Sequence, residues 1–201
     1  MIRVLLAEDQ DMVRGALAAL LSLEADIQIV GQVDKGDEVV SRAIELEPDL
    51  ALLDIEMPGR DGIEAAAELH RRMPGCRVLI LTTFGKPGLM RRAMAAGASG
   101  FLLKDARAEE LAVAIRRTVA GERVVDPQLA AEALSEGESP LSDRETQVLA
   151  ASADGSSVIE LAATLHLSEG TVRNHLSAAI QKLNARNRAD AARIAKLKGW
   201  L

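Results

Sequence analysis

The chain has 201 residues, of which 48% are hydrophobic and 27% are charged, and its formal net charge at pH 7 is −6. This length and apolar content suit one ordinary domain or two small domains with packed cores. They exclude a transmembrane helix, because no apolar run approaches the roughly 20 residues that a bilayer requires, and the single cysteine, Cys76, excludes an intrachain disulfide bond. Since the start of the chain also turns acidic at Glu8 and Asp9, too early for a signal peptide, the sequence predicts a cytoplasmic protein.

The charge is unevenly distributed along the chain. Residues 139–201 contain 8 Lys and Arg against 6 Asp and Glu, a net charge of +2, whereas residues 126–138 contain 4 acidic residues and no basic ones. Residues 1–125 are also acidic, with 16 basic against 20 acidic side chains. Only the C-terminal section therefore carries the sign of charge that favours contact with nucleic acid.

The N-terminal part of the chain alternates between short apolar runs and amphipathic segments. Apolar residues at nearly every position of a run predict a strand that is buried on both faces, as in a parallel sheet covered by helices. Five strand–helix units in succession predict an α/β domain with a doubly wound, five-stranded parallel sheet, which we place at residues 1–121. The predicted strands are residues 2–7, 27–33, 50–53, 78–81 and 99–103, and the predicted helices are residues 11–22, 36–46, 61–72, 87–96 and 107–119.

The rest of the chain has no strand pattern. Residues 122–138 are predicted to be a linker, since the stretch from Ser135 to Pro140 contains no apolar residue. From residue 139 onward four helix starts follow one another, which predicts a small all-α domain over residues 139–201. The signals are two capping boxes, Ser142 with Glu145 and Ser157 with Glu160, and two N-cap residues, Ser168 and Asn187.

Polar and charged side chains follow four of the predicted strands. In an open α/β sheet the carboxyl ends of the strands meet at one edge, where ligands bind. Clustered carboxylates favour a cation with oxygen ligands, such as Mg²⁺, and a lysine among them would hold an anion. The pattern predicts phosphoryl transfer to Asp54, with the phosphoryl group bound by Lys104 and Thr82. The side chains at this edge are Glu8 and Asp9 after the first strand, Asp54 after the third, Thr82 and Thr83 at the fourth, and Lys104 after the fifth.

Four motifs carry a resemblance that covers residues 1–121. They are Asp54-Ile55-Glu56-Met57-Pro58-Gly59-Arg60-Asp61-Gly62, Ala7-Glu8-Asp9, Leu81-Thr82-Thr83 and Phe101-Leu102-Leu103-Lys104-Asp105. In order and spacing they resemble the landmarks of receiver domains of two-component response regulators. The resemblance implies that a sensor histidine kinase phosphorylates Asp54. It also implies that Asp9, Asp54 and the backbone carbonyl of Glu56 bind Mg²⁺, with Glu8 helping through water.

The same resemblance implies a conformational switch. The Thr82 hydroxyl would move toward the phosphoryl group, and Phe101 would turn inward to fill the vacated volume. Two residues depart from the common pattern, since Thr83 stands where alanine is more frequent and Phe84 is bulky and apolar. We expect Phe84 to shield the acyl phosphate from water and to prolong the phosphorylated state.

A helix, a tight turn and a second helix are predicted within residues 158–183. The second helix has an apolar stripe at helical spacing, formed by Val172, Leu176, Ile180 and Leu183. Arg173 and Asn174 lie away from the stripe, and their side chains pair with guanine and adenine edges in the major groove. His175 suits either a phosphate contact or a partly buried position. Further phosphate contacts are predicted for Lys182, Arg186, Arg188 and Arg193.

Three segments of the C-terminal section resemble the LuxR-type helix-turn-helix. They are Leu141-Ser142-Asp143-Arg144-Glu145, Ala153-Asp154-Gly155 and Leu167-Ser168-Glu169-Gly170-Thr171-Val172-Arg173-Asn174-His175-Leu176. Fused to a receiver domain, such a domain is similar to the NarL/FixJ class of response regulators, and the motifs around Glu8 and Thr82 are most similar to its DesR subgroup. The resemblance implies that Arg173, Asn174 and Ser177 contact bases of double-stranded promoter DNA, with RNA polymerase as a further partner.

The low charge of the C-terminal section predicts how it would bind. A net charge of +2 neutralises few phosphates, so we expect tight binding only for a dimer on an inverted repeat. The resemblance implies that phosphorylation promotes a homodimer through receiver helices one and five. The candidate contact residues, most of which would suit the core equally well, are Met12, Ala16, Leu20, Leu111, Ala114 and Ile115.

Two other classes of protein remain open at this point. Haloacid-dehalogenase-like phosphatases combine an Asp nucleophile with Thr or Ser, Lys and Mg²⁺, but they need a second Asp two residues after the nucleophile, where this chain has Glu56. A signalling adaptor would use the helical domain to dock on a protein. Turnover of p-nitrophenyl phosphate would favour the first class, and loss of sequence-specific footprinting with retained partner binding would favour the second.

Overall fold

The computed structural model describes residues 1–83, 87–127, 129–131, 139–153 and 155–201, with only the backbone of Ala108. Phe84, for which we predict a shielding role, and residues 132–138 of the predicted linker lie outside these ranges. The chain forms two compact units, one built mainly from residues 1–130 and the other mainly from residues 131–201. Each unit has its own hydrophobic core.

The N-terminal unit contains a parallel sheet with the strand order β2-β1-β3-β4-β5-β6. The strands are β1 (Ile2–Ala7), β2 (Ile27–Val33), β3 (Leu50–Leu53), β4 (Arg77–Thr82), β5 (Gly100–Leu103) and β6 (Val124–Val125). The prediction of a parallel α/β sheet is confirmed, and the first five strands agree with the predicted bounds to within one residue. The prediction of five strands was incomplete, because β6 pairs with Gly100 and Phe101 of β5. A two-residue strand has too little periodicity to be recognised from sequence.

Helices alternate with the first five strands, and each agrees with its predicted bounds to within one residue. They are α1 (Asp11–Leu21), α2 (Gly36–Leu46), α3 (Gly62–Arg72), α4 (Pro87–Ala95) and α5 (Ala108–Val119). The start of α3 is fixed by the Asp61 side chain, which accepts a hydrogen bond from the Glu64 amide at 2.7 Å. The last turn of α5 carries Arg116 and Arg117, whose charges suit the negative end of a helix dipole.

One face of the sheet packs against α1 and α5. Alternate residues along the strands, such as Val4 and Leu6 of β1, point to this face because successive strand side chains alternate between faces. The apolar stripe of α5 covers them, and it includes the predicted dimer-contact residues Leu111, Ala114 and Ile115, which are 4%, 3% and 0% exposed. Their assignment to a dimer surface was therefore wrong, since an amphipathic helix turns its apolar stripe to the core first.

Gly62 is the first residue of α3 and lies against the backbone of Asp54. A Cβ atom at position 62 would lie 1.9 Å from the Asp54 carbonyl oxygen. We therefore expect Gly62→Ala to lower the free energy of unfolding by about 1–3 kcal/mol, because the backbone must shift to make room. Urea denaturation followed by circular dichroism measures this change. Gly75→Ala is the matched control, because a Cβ there meets nothing within 4 Å; equal stability of the two variants would contradict the prediction.

The regular elements among the described residues from 139 onward are all helices, namely α6 (Asp143–Ala151), α7 (Val158–Leu165), α8 (Glu169–Lys182) and α9 (Arg188–Leu197). The four predicted helix starts are confirmed. Ser142 and Ser157 form capping boxes with Glu145 and Glu160, and Ser168 and Asn187 cap α8 and α9. The core includes Val148, Leu149, Leu161, Val172, Leu176 and Leu183. No helix in the described ranges is both long enough and apolar enough to cross a membrane.

Candidate functional site

Three carboxylates meet at the carboxyl ends of two neighbouring strands. Glu8 and Asp9 follow β1, and Asp54 follows β3, which pairs with β1 in parallel. Each of them offers a carboxylate oxygen that lies within 4.8 Å of the other two. Glu8 is 1% exposed and Asp54 is 4% exposed. Buried like charges at this distance repel one another unless cations lie among them.

Lys104, which follows β5, provides one such cation. Its Nζ atom lies 2.6 Å from Glu8 Oε2 and 3.0 Å from Asp54 Oδ2. Burial works to lower the pKa of Lys104, but its bonds to Glu8 and Asp54 outweigh burial and raise the pKa above the ordinary lysine value. The side chain is therefore a charged ammonium group at neutral pH, held against one carboxylate oxygen each of Glu8 and Asp54.

The site also has features that suit a second cation. Burial raises the pKa of Glu8 above its ordinary value, and the bond to Lys104 offsets this effect only in part. The Ile55 amide donates a hydrogen bond to Asp54 Oδ1 at 2.8 Å. Asp9 Oδ1 is buried and has no hydrogen-bond partner among the described residues. An unpartnered anionic oxygen beside two further carboxylates fits a hard cation with oxygen ligands, such as Mg²⁺.

The other residues predicted for this site differ in how far they are buried. Thr82 is buried at the end of β4, whereas Thr83 is exposed. The Glu56 side chain is exposed, so only its backbone carbonyl is a reasonable ligand. Phe101 is fully buried, and its predicted role in a switch stays a prediction. Phe84 lies outside the described ranges.

The predicted DNA-contacting face of α8 is separate from its buried stripe. Val172 and Leu176 are buried in the C-terminal core, whereas Arg173, Asn174 and Ser177 are exposed and His175 is half-buried. The Arg173 guanidinium group donates to Glu169 at 3.2 Å, one helical turn away. Because this pair is exposed, it contributes only about 0.3–0.5 kcal/mol, and Arg173 can leave it for another partner.

Two predicted phosphate contacts are engaged within the C-terminal unit. Lys182 donates to Glu145 Oε2 at 2.8 Å, and Arg188 donates to the carbonyl oxygens of Ser156 at 2.8 Å and Gly155 at 3.3 Å. Neither contact could be predicted from the sequence, because each joins residues more than 30 positions apart.

Comparison with known proteins covers both units. Residues 4–116 match the response regulator receiver domain, and residues 139–195 match the luxR family of bacterial regulatory proteins. The chain belongs to the response regulators with a LuxR-type DNA-binding domain. This response regulator is therefore a DNA-binding regulator of transcription and not a catalytic enzyme, so the phosphatase and adaptor alternatives do not hold.

Several relatives resemble the response regulator along its whole length. It is 47% identical to the transcriptional regulatory protein YvfU of Bacillus subtilis (strain 168), with all of both chains covered. It is 46% identical to the transcriptional regulatory protein DesR of the same strain, with 100% of this chain and 99% of DesR covered. The crystal structure of the response regulator ChrA, from a heme-sensing two-component system, is 35% identical and has a TM-score of 0.59, with 100% of this chain and 98% of ChrA covered.

Sequence reasoning missed one residue that supports the acidic site of the response regulator. Arg14 of α1 donates to the backbone carbonyl oxygen of Glu8 at 2.7 Å and also pairs with Asp11. It therefore holds the loop between β1 and α1, which carries Glu8 and Asp9. The sequence does not show that Arg14 reaches the backbone of Glu8, and an arginine in a first helical turn is otherwise an ordinary surface residue.

Proposed function

We propose that a sensor histidine kinase phosphorylates Asp54 and that phosphorylation promotes a homodimer which binds an inverted repeat in promoter DNA. In this proposal the receiver domain spans residues 1–125, because β6 lies within the predicted linker but pairs with β5, and the DNA-binding domain spans residues 139–201. The observation that carries the proposal is the cluster of Glu8, Asp9 and Asp54, with the Lys104 ammonium group 3.0 Å from Asp54. Because its target is DNA, the protein acts in the cytoplasm.

Asp54 acts as the nucleophile in this proposal. One of its carboxylate oxygens forms a bond to phosphorus while the bond from phosphorus to the donor histidine nitrogen breaks, and the imidazole leaves. When bound, Mg²⁺ supplies charge neutralisation of the phosphoryl oxygens, and Asp9, Asp54 and the Glu56 carbonyl would hold it, with Glu8 helping through water. The Lys104 ammonium group then forms an ion pair with the phosphoryl group on Asp54.

In this proposal Thr82 and Phe101 respond to the phosphoryl group and transmit its presence to the rest of the receiver domain. The Thr82 hydroxyl contributes a hydrogen bond to the phosphoryl group, and the neighbouring Thr83 is exposed. Phe101 is already fully buried, so an inward turn driven by phosphate would have to begin from another state of the domain. A repacking of β4 and β5 around Phe101 needs no such state and is the form of the switch that we propose.

The dimer surface is proposed on α1 and the outer face of α5. Met12 is 87% exposed and Leu20 is 42% exposed, and Ala16 lies between them on the same exposed side of α1. On α5, Val113 is the large apolar residue that remains exposed, and it replaces the buried Leu111, Ala114 and Ile115 as the candidate. Exposed apolar side chains in a row on one helix are characteristic of a surface that another protein covers.

The DNA surface is proposed on the exposed side of α8. Arg173, Asn174 and Ser177 contact base edges, and His175 lies beside the phosphate backbone. The exposed Arg186 and Arg193 both pair with Asp190, which leaves one such domain few free positive charges. A second copy on the other half of an inverted repeat compensates for this weakness. Contact with RNA polymerase stays a prediction.

The experiment that tests the proposal treats the full-length protein with acetyl phosphate, with Mg²⁺ or with excess EDTA. We expect a covalent phosphate on the protein, a dimer by light scattering and tight binding to a duplex selected from a random library, all of them only with Mg²⁺. Phosphorylation that proceeds equally in EDTA would contradict the metal site. Monomers that bind the selected duplex as tightly as dimers would contradict the role of dimerisation.

A further inference from the structure

Lys182 connects the end of α8 to the start of α6. Its Nζ atom donates to Glu145 Oε2 at 2.8 Å, and the same oxygen accepts the Ser142 amide at 2.8 Å. Glu145 is 7% exposed. The carboxylate of Glu145 therefore completes the capping box of α6 and at the same time holds the last residue of α8.

Arg188 makes a second connection across the C-terminal unit. As the first residue of α9, it donates to the carbonyl oxygens of Gly155 and Ser156. These two residues directly precede Ser157, the N-cap of α7. Since α7 and α8 are the two helices of the helix-turn-helix, Lys182 and Arg188 act on both of them.

We propose that Lys182 and Arg188 are positioning residues that hold α7 and α8 in the orientation required to bind DNA, and that they are not phosphate contacts. The proposal rests on the proposed DNA-binding function of α8. It assigns the positive charge of both side chains to partners within the domain.

The environment of Glu145 supports this assignment. The bond from Lys182 and the bond from the Ser142 amide hold the pKa of Glu145 below its ordinary value, so its carboxylate is charged at neutral pH. If Lys182 moved to a DNA phosphate, a largely buried charge would lose its counter-ion, which is unfavourable. Arg188 is held by two hydrogen bonds to backbone carbonyl oxygens, of which the one to Ser156 is partly buried.

The two roles of Lys182 predict opposite effects of Glu145→Gln on DNA binding. If Lys182 were a phosphate contact, Glu145→Gln would release it and remove a negative charge, and affinity would rise. We expect instead that Glu145→Gln and Lys182→Gln each weaken binding of the phosphorylated full-length protein by roughly tenfold, and that the double variant is no weaker than either. The probe is a duplex selected from a random library by the wild-type protein. Increased affinity of Glu145→Gln would overturn the proposal.

The salt dependence of binding separates the roles a second time. Each phosphate contact that is lost reduces the slope of log affinity against log salt concentration by about 0.9. We expect Lys182→Gln and Arg188→Gln to keep the wild-type slope. We expect Lys182→Arg, unlike Lys182→Gln, to bind with wild-type affinity. A slope reduced by about 0.9 or more in Lys182→Gln or Arg188→Gln would overturn the assignment of that residue.

A measurement without DNA keeps the proposal separate from the proposed function. Trp200 is the only tryptophan of the chain and packs against the C-terminal core, so its fluorescence reports unfolding of this unit in the full-length protein. We expect Lys182→Gln and Arg188→Gln each to lower the midpoint of thermal unfolding by about 4 °C or more. Unchanged midpoints would overturn the proposal whether or not the wild-type protein binds DNA, whereas lowered midpoints with no binding by the wild type would count against the DNA-binding function alone.

Discussion

Replacement of Asp54 by asparagine is expected to leave the fold intact and to abolish the response to a phosphodonor. Asparagine has nearly the same shape as aspartate and keeps an oxygen that can accept the hydrogen bond from the Ile55 amide, 2.8 Å from Asp54 Oδ1. It also removes one of three clustered carboxylates, so repulsion with Glu8 decreases. The amide is not a nucleophile toward phosphorus, and we expect no stable phosphorylated form.

Three measurements on the full-length protein check this expectation. Intact mass after treatment with acetyl phosphate and Mg²⁺ should show no added phosphate, light scattering should show no phosphodonor-dependent dimer, and the thermal midpoint should match the wild type or exceed it. Asp105→Asn is the matched control, because Asp105 is an exposed aspartate beside Lys104 in the sequence. Donor-dependent dimers of Asp54→Asn would show that another residue accepts the phosphoryl group.

Arg173→Ala is expected to remove most of the sequence preference of DNA binding while the domain stays folded. Arg173 is exposed, and among the described residues its partner is Glu169 on the same helix. A bidentate contact between arginine and guanine is worth about 1–3 kcal/mol of discrimination. In a dimer both half-sites lose it, so we expect a loss of roughly 2–6 kcal/mol in the preference for the selected duplex over a scrambled one. Asn174→Ala should act in the same direction through adenine.

The control separates base contacts from simple loss of charge. Lys196→Ala removes one positive charge from an exposed position on α9, so it should weaken binding to both duplexes equally, if at all. Competition between the selected and the scrambled duplex measures the preference directly. If Arg173→Ala weakened both duplexes by the same factor, Arg173 would be a phosphate contact, and the proposed base contacts of α8 would have to be assigned elsewhere.

Local patterns in the sequence were sufficient to predict most of the secondary structure and the main residues of the acidic site. Strand and helix bounds follow from hydrophobic periods over a few residues, and the starts of α6 and α7 follow from a serine and a glutamate three positions apart. The gathering of Glu8, Asp9, Asp54 and Lys104 follows from one rule of topology, because the carboxyl ends of parallel strands share an edge. For these features the sequence was sufficient.

Contacts between distant residues were decided by the tertiary structure. Val124–Val125 is a strand only because β5 offers it an open edge. Leu111 and Ile115 of α5 suit a dimer surface and a core equally well until the sheet is in place, and the structure buries both.

The positive charges show the same division most clearly. Lys104, Lys182 and Arg188 are interchangeable in a sequence as free cations, yet each meets partners more than 30 residues away. The energy of an ion pair or hydrogen bond depends on distance and burial, and only the folded chain sets these. The sequence therefore determined which groups the protein possesses for phosphoryl transfer and DNA binding, and the tertiary structure decided which of its charges are free for those tasks.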